Sequence, residues 1–241
     1  RAGIGVDNID LDSASSKGIV VMNTPFGNAI TTAEHTIAMI FAAARNIPAA
    51  NQSTQSGRWE KKKFIGIELS RKKLGIVGVG NIGSIVASLA QSIGMEIIAY
   101  DPFLSDERAK NLKIYKTKDL NDLLSQSDVV TLHLPKNENT HNIISRENIY
   151  KMKKGSILVN CARGGLVEEI AVAEAIKTKH LSAAAFDVFL EEPATSNPLF
   201  GLKNVICTPH LGASTAEAQE KVSFQIADQI INYLKDGAIV N

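Results

Sequence analysis

The segment Leu74–Gly83 reads Leu-Gly-Ile-Val-Gly-Val-Gly-Asn-Ile-Gly, an apolar strand that runs into a glycine turn, which in turn opens a helix. Gly78 permits the tight turn, Gly80 lets a pyrophosphate approach the backbone, and Gly83 lets helix and strand pack closely. The start of such a helix offers N–H groups and the positive end of its dipole to phosphates. Asp101 closes the next strand, Glu96–Tyr100, 18 residues past Gly83. A carboxylate there accepts hydrogen bonds from an adenosine ribose diol and repels a 2′-phosphate. Strand, helix, second strand and acid are in register, and together they predict a dinucleotide site that takes NAD rather than NADP.

From this motif onward, short apolar runs alternate with helical segments: Leu74–Val77, Glu96–Tyr100, Lys113–Tyr115, Val129–Leu132, Ile157–Asn160, Ala183–Phe186 and Val205–Cys207. Apolar runs of this length separated by helices predict an α/β fold, a doubly wound parallel sheet of the Rossmann type with crossover helices on both faces. Before the motif, the chain predicts a polar helical turn near Asp12–Lys17, a strand Ile19–Met22, and a helix from a capping box at Thr31–Glu34 to an interruption at Pro48. Residues 49–72 read as a polar, lysine-rich stretch around Trp59. The last helix is expected to open at a second box, Ser214–Glu217, to show Val222, Ile226, Ile230 and Leu234 on one stripe, and to stop at Gly237.

A net charge of +1 gives no footprint for nucleic acid or an anionic membrane. No apolar run approaches the ~18 residues needed to span a bilayer, so a cytoplasmic protein is expected. Cys161 and Cys207 follow separate strands and read as free thiols of a reducing compartment. No His/Cys cluster has metal-ligand spacing, so no metal is expected.

Ligands of open parallel sheets lie beyond the carboxyl ends of the strands. The polar residues that follow the predicted strands are Asp101, His133, Arg163, Asp187 with Glu192, and His210. A guanidinium at Arg163, followed by Gly164 and Gly165, is a planar fork that suits a carboxylate or polarises a carbonyl. The alternative is a surface arginine at a strand end. His210, after a strand expected to be central or nearly so, can exchange a proton with an alcohol. Glu192 can hold that ring in one tautomer and support its charged form. Equally, Glu191 and Glu192 read as a solvated acidic loop and His210 as a satisfied loop histidine. His35 reads as packed in its helix, His141 and His180 as solvent-facing, and His133 as structural or close to the cofactor.

The stretches Arg1–Asp10, Met22–Pro25, Trp59–Phe64, Gly78–Gly83, Asn160–Gly165, Asp187–Pro193 and Pro209–Thr215 together resemble the D-isomer-specific 2-hydroxyacid dehydrogenases, nearest to the branch acting on D-3-phosphoglycerate. The resemblance covers essentially the whole chain. It implies hydride transfer between NAD and a 2-hydroxy acid, with Arg163, Glu192 and His210 as the catalytic set. It implies cofactor contacts at Gly78, Gly80, Asn81, Ile82, Gly83, Asp101, Pro135, Cys161, Ala162, Asp187, His210, Gly212 and Ala213. It implies substrate contacts at Arg1, Gly3, Arg163 and His210, and a homodimer or homotetramer. The expected division is a remnant of a flavodoxin-like substrate domain at 1–24, an NAD-binding domain at 25–213, and a helix at 214–241 returning to the substrate domain. Most of that second domain, and any serine-sensing carboxyl-terminal domain, is expected to be absent from these residues. Glyoxylate or hydroxypyruvate reduction, and an NAD-sensing corepressor-like binding protein, are the alternative readings.

Overall fold

The computed structural model describes residues 1–6, 8–25 and 27–239. Asp7, Phe26, Val240 and Asn241, which the expected segments include, lie outside the described residues. The chain forms two compact units, one of residues 33–212 and one of residues 1–32 with 213–241.

The larger unit is built on a parallel sheet of β1 (Lys73–Val77), β2 (Glu96–Tyr100), β3 (Tyr115–Thr117), β4 (Val129–Leu132), β5 (Ser156–Asn160), β6 (Leu181–Phe186) and β7 (Val205–Cys207). Their order is β3-β2-β1-β4-β5-β6-β7, and every pairing is parallel. Successive side chains enter opposite cores. Ile97, Ala99, Ile157, Val159, Ala183 and Ala185 face one, while Ile98, Leu158, Ala184 and Phe186 face the other. Burial on both faces explains why the strands read as continuous apolar runs rather than alternating ones.

Around the sheet run α4 (Asn81–Ser92), α5 (Asp106–Asn111), α6 (Leu120–Gln126), α7 (Arg146–Lys151) and α8 (Glu169–Lys177). Val86, Ala87 and Ala90 of α4 join the first core; Leu123, Leu124, Ile149, Ala171 and Val172 of α6, α7 and α8 join the second. The smaller unit holds α1 (Leu11–Ser16), capped by the Asp10 carboxylate on the Ser13 amide, and α9 (Ala216–Asp236). Within it, the Gln229 amide donates to the Asn23 carbonyl at 2.9 Å.

Several expected boundaries move. No strand forms over Ile19–Met22 among the described residues; the Arg1 main-chain nitrogen donates to the Met22 carbonyl and the Thr24 amide to the Gly3 carbonyl, so this segment lies along the entry loop without a ladder. Helix α2 (Ala29–Ala44) starts ahead of the predicted box, because the Thr32 hydroxyl donates back to the Asn28 carbonyl instead of capping. Pro48 does not end that helix. It sits in the first turn of a separate one, α3 (Ile47–Gln55), where its missing N–H costs nothing. The third strand begins at Tyr115, since Lys113 takes a left-handed conformation (φ 54°) that closes the turn after α5. Thr215 alone caps α9, and Ile230 and Leu234 on the expected stripe are 45% and 76% exposed. Finally, β7 is not central: it is an edge strand paired to β6 alone.

Candidate active site

Strand order reverses between β1 and β4, and the glycine turn lies at the carboxyl end of β1, at that crevice. Gly78 has φ 93°, and a Cβ there would come within 2.5 Å of the His133 carbonyl oxygen. Only glycine combines that conformation with that approach. Gly83 abuts the Gly78 carbonyl, so the helix rides directly on the turn, as the spacing predicts. At Gly80 the space a side chain would take is open. Gly80 is also the N-cap of α4 and offers no side-chain cap to the leading amides of Asn81, Ile82 and Gly83. An uncapped helix start beside an open glycine fits a pyrophosphate. The Asp101 carboxylate at the end of β2 accepts the Val79 amide at 2.7 Å and the Phe103 amide at 2.8 Å. Each oxygen keeps a second lone pair for a ribose diol.

His133, at the end of β4, supports the turn from below. The residue is half-buried, but its Nδ1 is inaccessible and has no hydrogen-bond partner among the described residues, while Nε2 lies 3.1 Å from the Thr131 hydroxyl. Burial pushes its pKa down to about 3, so the ring is neutral. Pro135 follows on the surface, where its carbonyl accepts the Thr140 hydroxyl at 2.7 Å.

Across the sheet the arrangement changes character. His210 and Glu192, 18 residues apart in sequence, meet at 2.6 Å between Nδ1 and Oε2. The other Glu192 oxygen accepts the Phe189 amide at 3.0 Å. The pair that spacing alone left undecided is therefore assembled. Arg163 follows β5. Its guanidinium donates to the Ala162 carbonyl at 2.7 Å, and its own carbonyl accepts from Asn160 at 2.9 Å. Ala162 is buried beside it, and its amide is held by the Asn160 side chain. A side chain on Gly164 would collide with the Phe189 carbonyl, so glycine there brings the Arg163 loop against the loop that carries Glu192.

Asp187, fully buried at the end of β6, organises the turn that bears His210. Its carboxylate accepts the Leu211 and Gly212 amides, each at 2.8 Å, and the Thr208 hydroxyl at 2.5 Å. His35 Nε2 of α2 lies 3.3 Å away. The Asp187 carbonyl takes the His210 amide at 2.8 Å. His210 itself has φ 56°, a strained region for a side-chain-bearing residue, and such strain persists only where neighbours over-determine it. Successive amides around one carboxylate supply that constraint. Burial pushes the Asp187 carboxyl up, but bonds from His35, Thr208 and Leu211 outweigh it, and the group stays below the usual carboxylate range. His35, expected only to be packed, thus belongs to the site's support. An imidazole on an otherwise apolar helix face was the signal for it. The Cys161 thiol is buried, and burial together with the Asp187 charge pushes it up to about 12, so it is inert.

Other expected contacts are placed as follows. Gly212 is buried in the Asp187 turn, and the Ala213 carbonyl accepts the Thr215 amide at 3.1 Å. Arg1 and Gly3 lie in the smaller unit, with the Arg1 guanidinium on the Asn8 side chain and the Gly3 amide on the Thr24 hydroxyl at 2.6 Å. Among the described residues no group of His, Cys, Asp and Glu has metal-binding geometry, and no helix is long and apolar enough to cross a membrane.

The family model described as D-isomer specific 2-hydroxyacid dehydrogenase, NAD binding domain, matches residues 37–212. D-3-phosphoglycerate dehydrogenase of Archaeoglobus fulgidus is 50% identical over 98% of this chain, a match that spans 45% of that protein. The chain thus spans about half the length of the curated relatives it matches. A glyoxylate reductase structure from Paecilomyes thermophila superposes with a TM-score of 0.92 at 31% identity, over 100% of this chain and 73% of that one. A D-lactate dehydrogenase from Aquifex aeolicus, complexed with NAD and lactic acid, superposes at 0.88 and 30% identity, over 97% of this chain and 75% of that one.

Proposed function

The chain belongs to the D-isomer-specific 2-hydroxyacid dehydrogenases, its residues 37–212 being that family's NAD-binding domain, and from that premise we propose that the protein is a D-3-phosphoglycerate dehydrogenase. The reaction is oxidation of 3-phosphoglycerate to 3-phosphohydroxypyruvate, the entry to serine synthesis. The observation that carries it is the 2.6 Å pairing of His210 with Glu192 on loops that converge beyond one edge of an NAD-type sheet.

Asn81, Ile82 and Gly83 hold the pyrophosphate, Asp101 the ribose, and Asp187 with the Ala162 and Gly212 neighbourhood the nicotinamide end. When bound, NAD supplies the hydride acceptor. The Nδ1 of His210 donates to Glu192, which leaves Nε2 to take the proton of the substrate 2-hydroxyl. Glu192 then faces an imidazolium, and its negative charge stabilises the form produced in the transition state. Arg163 holds the substrate carboxylate through its planar fork and faces the charge that develops on the oxygen. Residues 1–24, with the helix at 214–241, are part of the substrate-binding domain, and Arg1 and Gly3 are that domain's own substrate contacts.

His210→Ala in the full-length protein should lower kcat by about 10²- to 10⁴-fold while leaving NADH affinity unchanged; equal turnover in both proteins would overturn the proton-transfer assignment. The likeness to a glyoxylate reductase favours one second reading, a reductase of unphosphorylated 2-oxo acids. Side-by-side kcat/KM values for phosphohydroxypyruvate, hydroxypyruvate and glyoxylate separate the two. We further assign a homodimer or homotetramer. Its support is the set of exposed apolar residues Phe41, Ile47, Trp59 (85% exposed), Ile65 (81%) and Ile67, all within residues 41–67. Light scattering of wild type and Trp59→Asp tests it. The two free thiols, Cys161 and Cys207, suit a reducing cytoplasm.

A further inference from the structure

We infer that Glu169 is a positioning residue for the Glu192 carboxylate, an inference that rests on the dehydrogenase reading. Glu192 rides on the loop between β6 and β7, and the tip of that loop is open: Leu190, Glu191, Glu192 and Pro193 are all exposed. A carboxylate on an exposed loop samples many rotamers, and ordering it opposes its pairing with His210. Catalysis nevertheless needs the pair held to within a fraction of an ångström.

Among the described residues, the hydrogen bonds that reach residues 190–197 from outside the loop, apart from that of His210, both end on Glu169. Its Oε1 accepts the Leu190 amide at 2.8 Å and its Oε2 accepts the Asn197 side-chain amide at 2.6 Å. One anchor, Leu190, lies two residues before Glu192 and the other, Asn197, five residues after it, so a single carboxylate holds the tip on both sides of Glu192. Asn197 passes the hold inward: its Oδ1 accepts the Leu199 amide at 3.0 Å, and Leu199 is buried in the core.

Glu169 is itself fixed. It is the first residue of α8, where the positive end of the dipole favours a carboxylate. The neighbouring Glu168 accepts the Arg146 amide at 2.8 Å, which ties that helix start to α7. Opposite the clamp, Gly164 lets the Arg163 loop press on Phe189. The tip is thus held from both sides, by a backbone contact and by a side chain. Two separate donors on two separate oxygens call for a carboxylate; glutamine retains one acceptor oxygen and alanine none.

In the full-length enzyme, Glu169→Ala should lower kcat about tenfold with NADH affinity within about twofold of wild type, and Glu169→Gln should regain part of the loss. In a Glu192→Gln background, Glu169→Ala should cost less than about twofold further, because the group through which it acts is gone. An unchanged kcat in Glu169→Ala, or the same fold-loss in both backgrounds, would overturn the inference. If Glu169→Ala does not fold, Asn197→Ala removes only the second anchor and takes the same cycle. Hydrogen exchange separates the two levels of the argument. A wild-type protein with no turnover on any 2-hydroxy or 2-oxo acid breaks the proposed function, whereas a Leu190 amide that exchanges equally fast in wild type and Glu169→Ala breaks the clamp.

Discussion

The two halves of the site are built by opposite means. At β1, α4 and β2 the working groups are main-chain amides and a single carboxylate, Asp101, and three glycines set the direction of the amides within one short stretch of chain. At β5, β6 and β7 the working groups are side chains far apart in sequence, and carboxylates behind them set their directions: the buried Asp187 for His210, the half-buried Glu169 for Glu192. A backbone site tolerates exchange of its side chains but not of its glycines. A side-chain site is the reverse, and its weak points lie one layer behind the chemistry.

The sharpest way to break this contrast is Asp187→Asn. The amide keeps one acceptor oxygen and turns its NH₂ toward the Leu211 or Gly212 amide, so the strained His210 turn loses its template. Turnover should drop about 100-fold or more, with NADH affinity lowered about fivefold at most; an equal loss of cofactor affinity would erase the division between halves. Gly78→Ala should do the converse. A left-handed alanine costs about 1–2 kcal/mol, and the collision with the His133 carbonyl adds to it. NADH affinity measured by fluorescence should weaken about tenfold or more, while kcat at saturating cofactor changes by less than about threefold.

A smaller effect concerns pH and belongs to the backbone half. His133 is neutral when folded down to about 3, whereas the unfolded chain protonates it near 6.5. Between those values the unfolded state binds the extra proton. The stability that this histidine contributes is therefore complete above 6.5 and is lost as pH falls, by at most about 1.4 kcal/mol per unit. Urea titrations of His133→Gln should show a flatter pH dependence in that window than wild type; parallel curves would refute the burial argument. At the bottom of the scale, Lys151→Ala removes a surface pair with Glu147 and should move Tm by no more than about 2 °C.

What could be read from sequence follows the same division. The glycine turn, Asp101 and six of the strands lay where periodicity and spacing put them, because each depends on residues near one another in the chain. The convergence of Glu192 and His210 was visible only as strand-end polarity, and spacing left it even. His35 and Glu169 gave weaker signals still: a histidine inside an apolar helix and an acid in a helix's first turn both have ordinary local explanations. Their partners come from elsewhere in the chain. The helix starts depart from these signals for a related reason: Thr31 lies inside α2, and Ser214 stands one residue ahead of the Thr215 cap. The edge position of β7 depends on which strand lies beside it, and no local pattern encodes that.

That edge position has a thermal consequence. β7 is three residues long, is stitched along one side only, and leads straight into the histidine. Outermost ladders open at lower free energy than central ones. On gentle warming, the protein should fall silent as a catalyst while it still captures nucleotide, so that a half-inactivation temperature lies below the melting point.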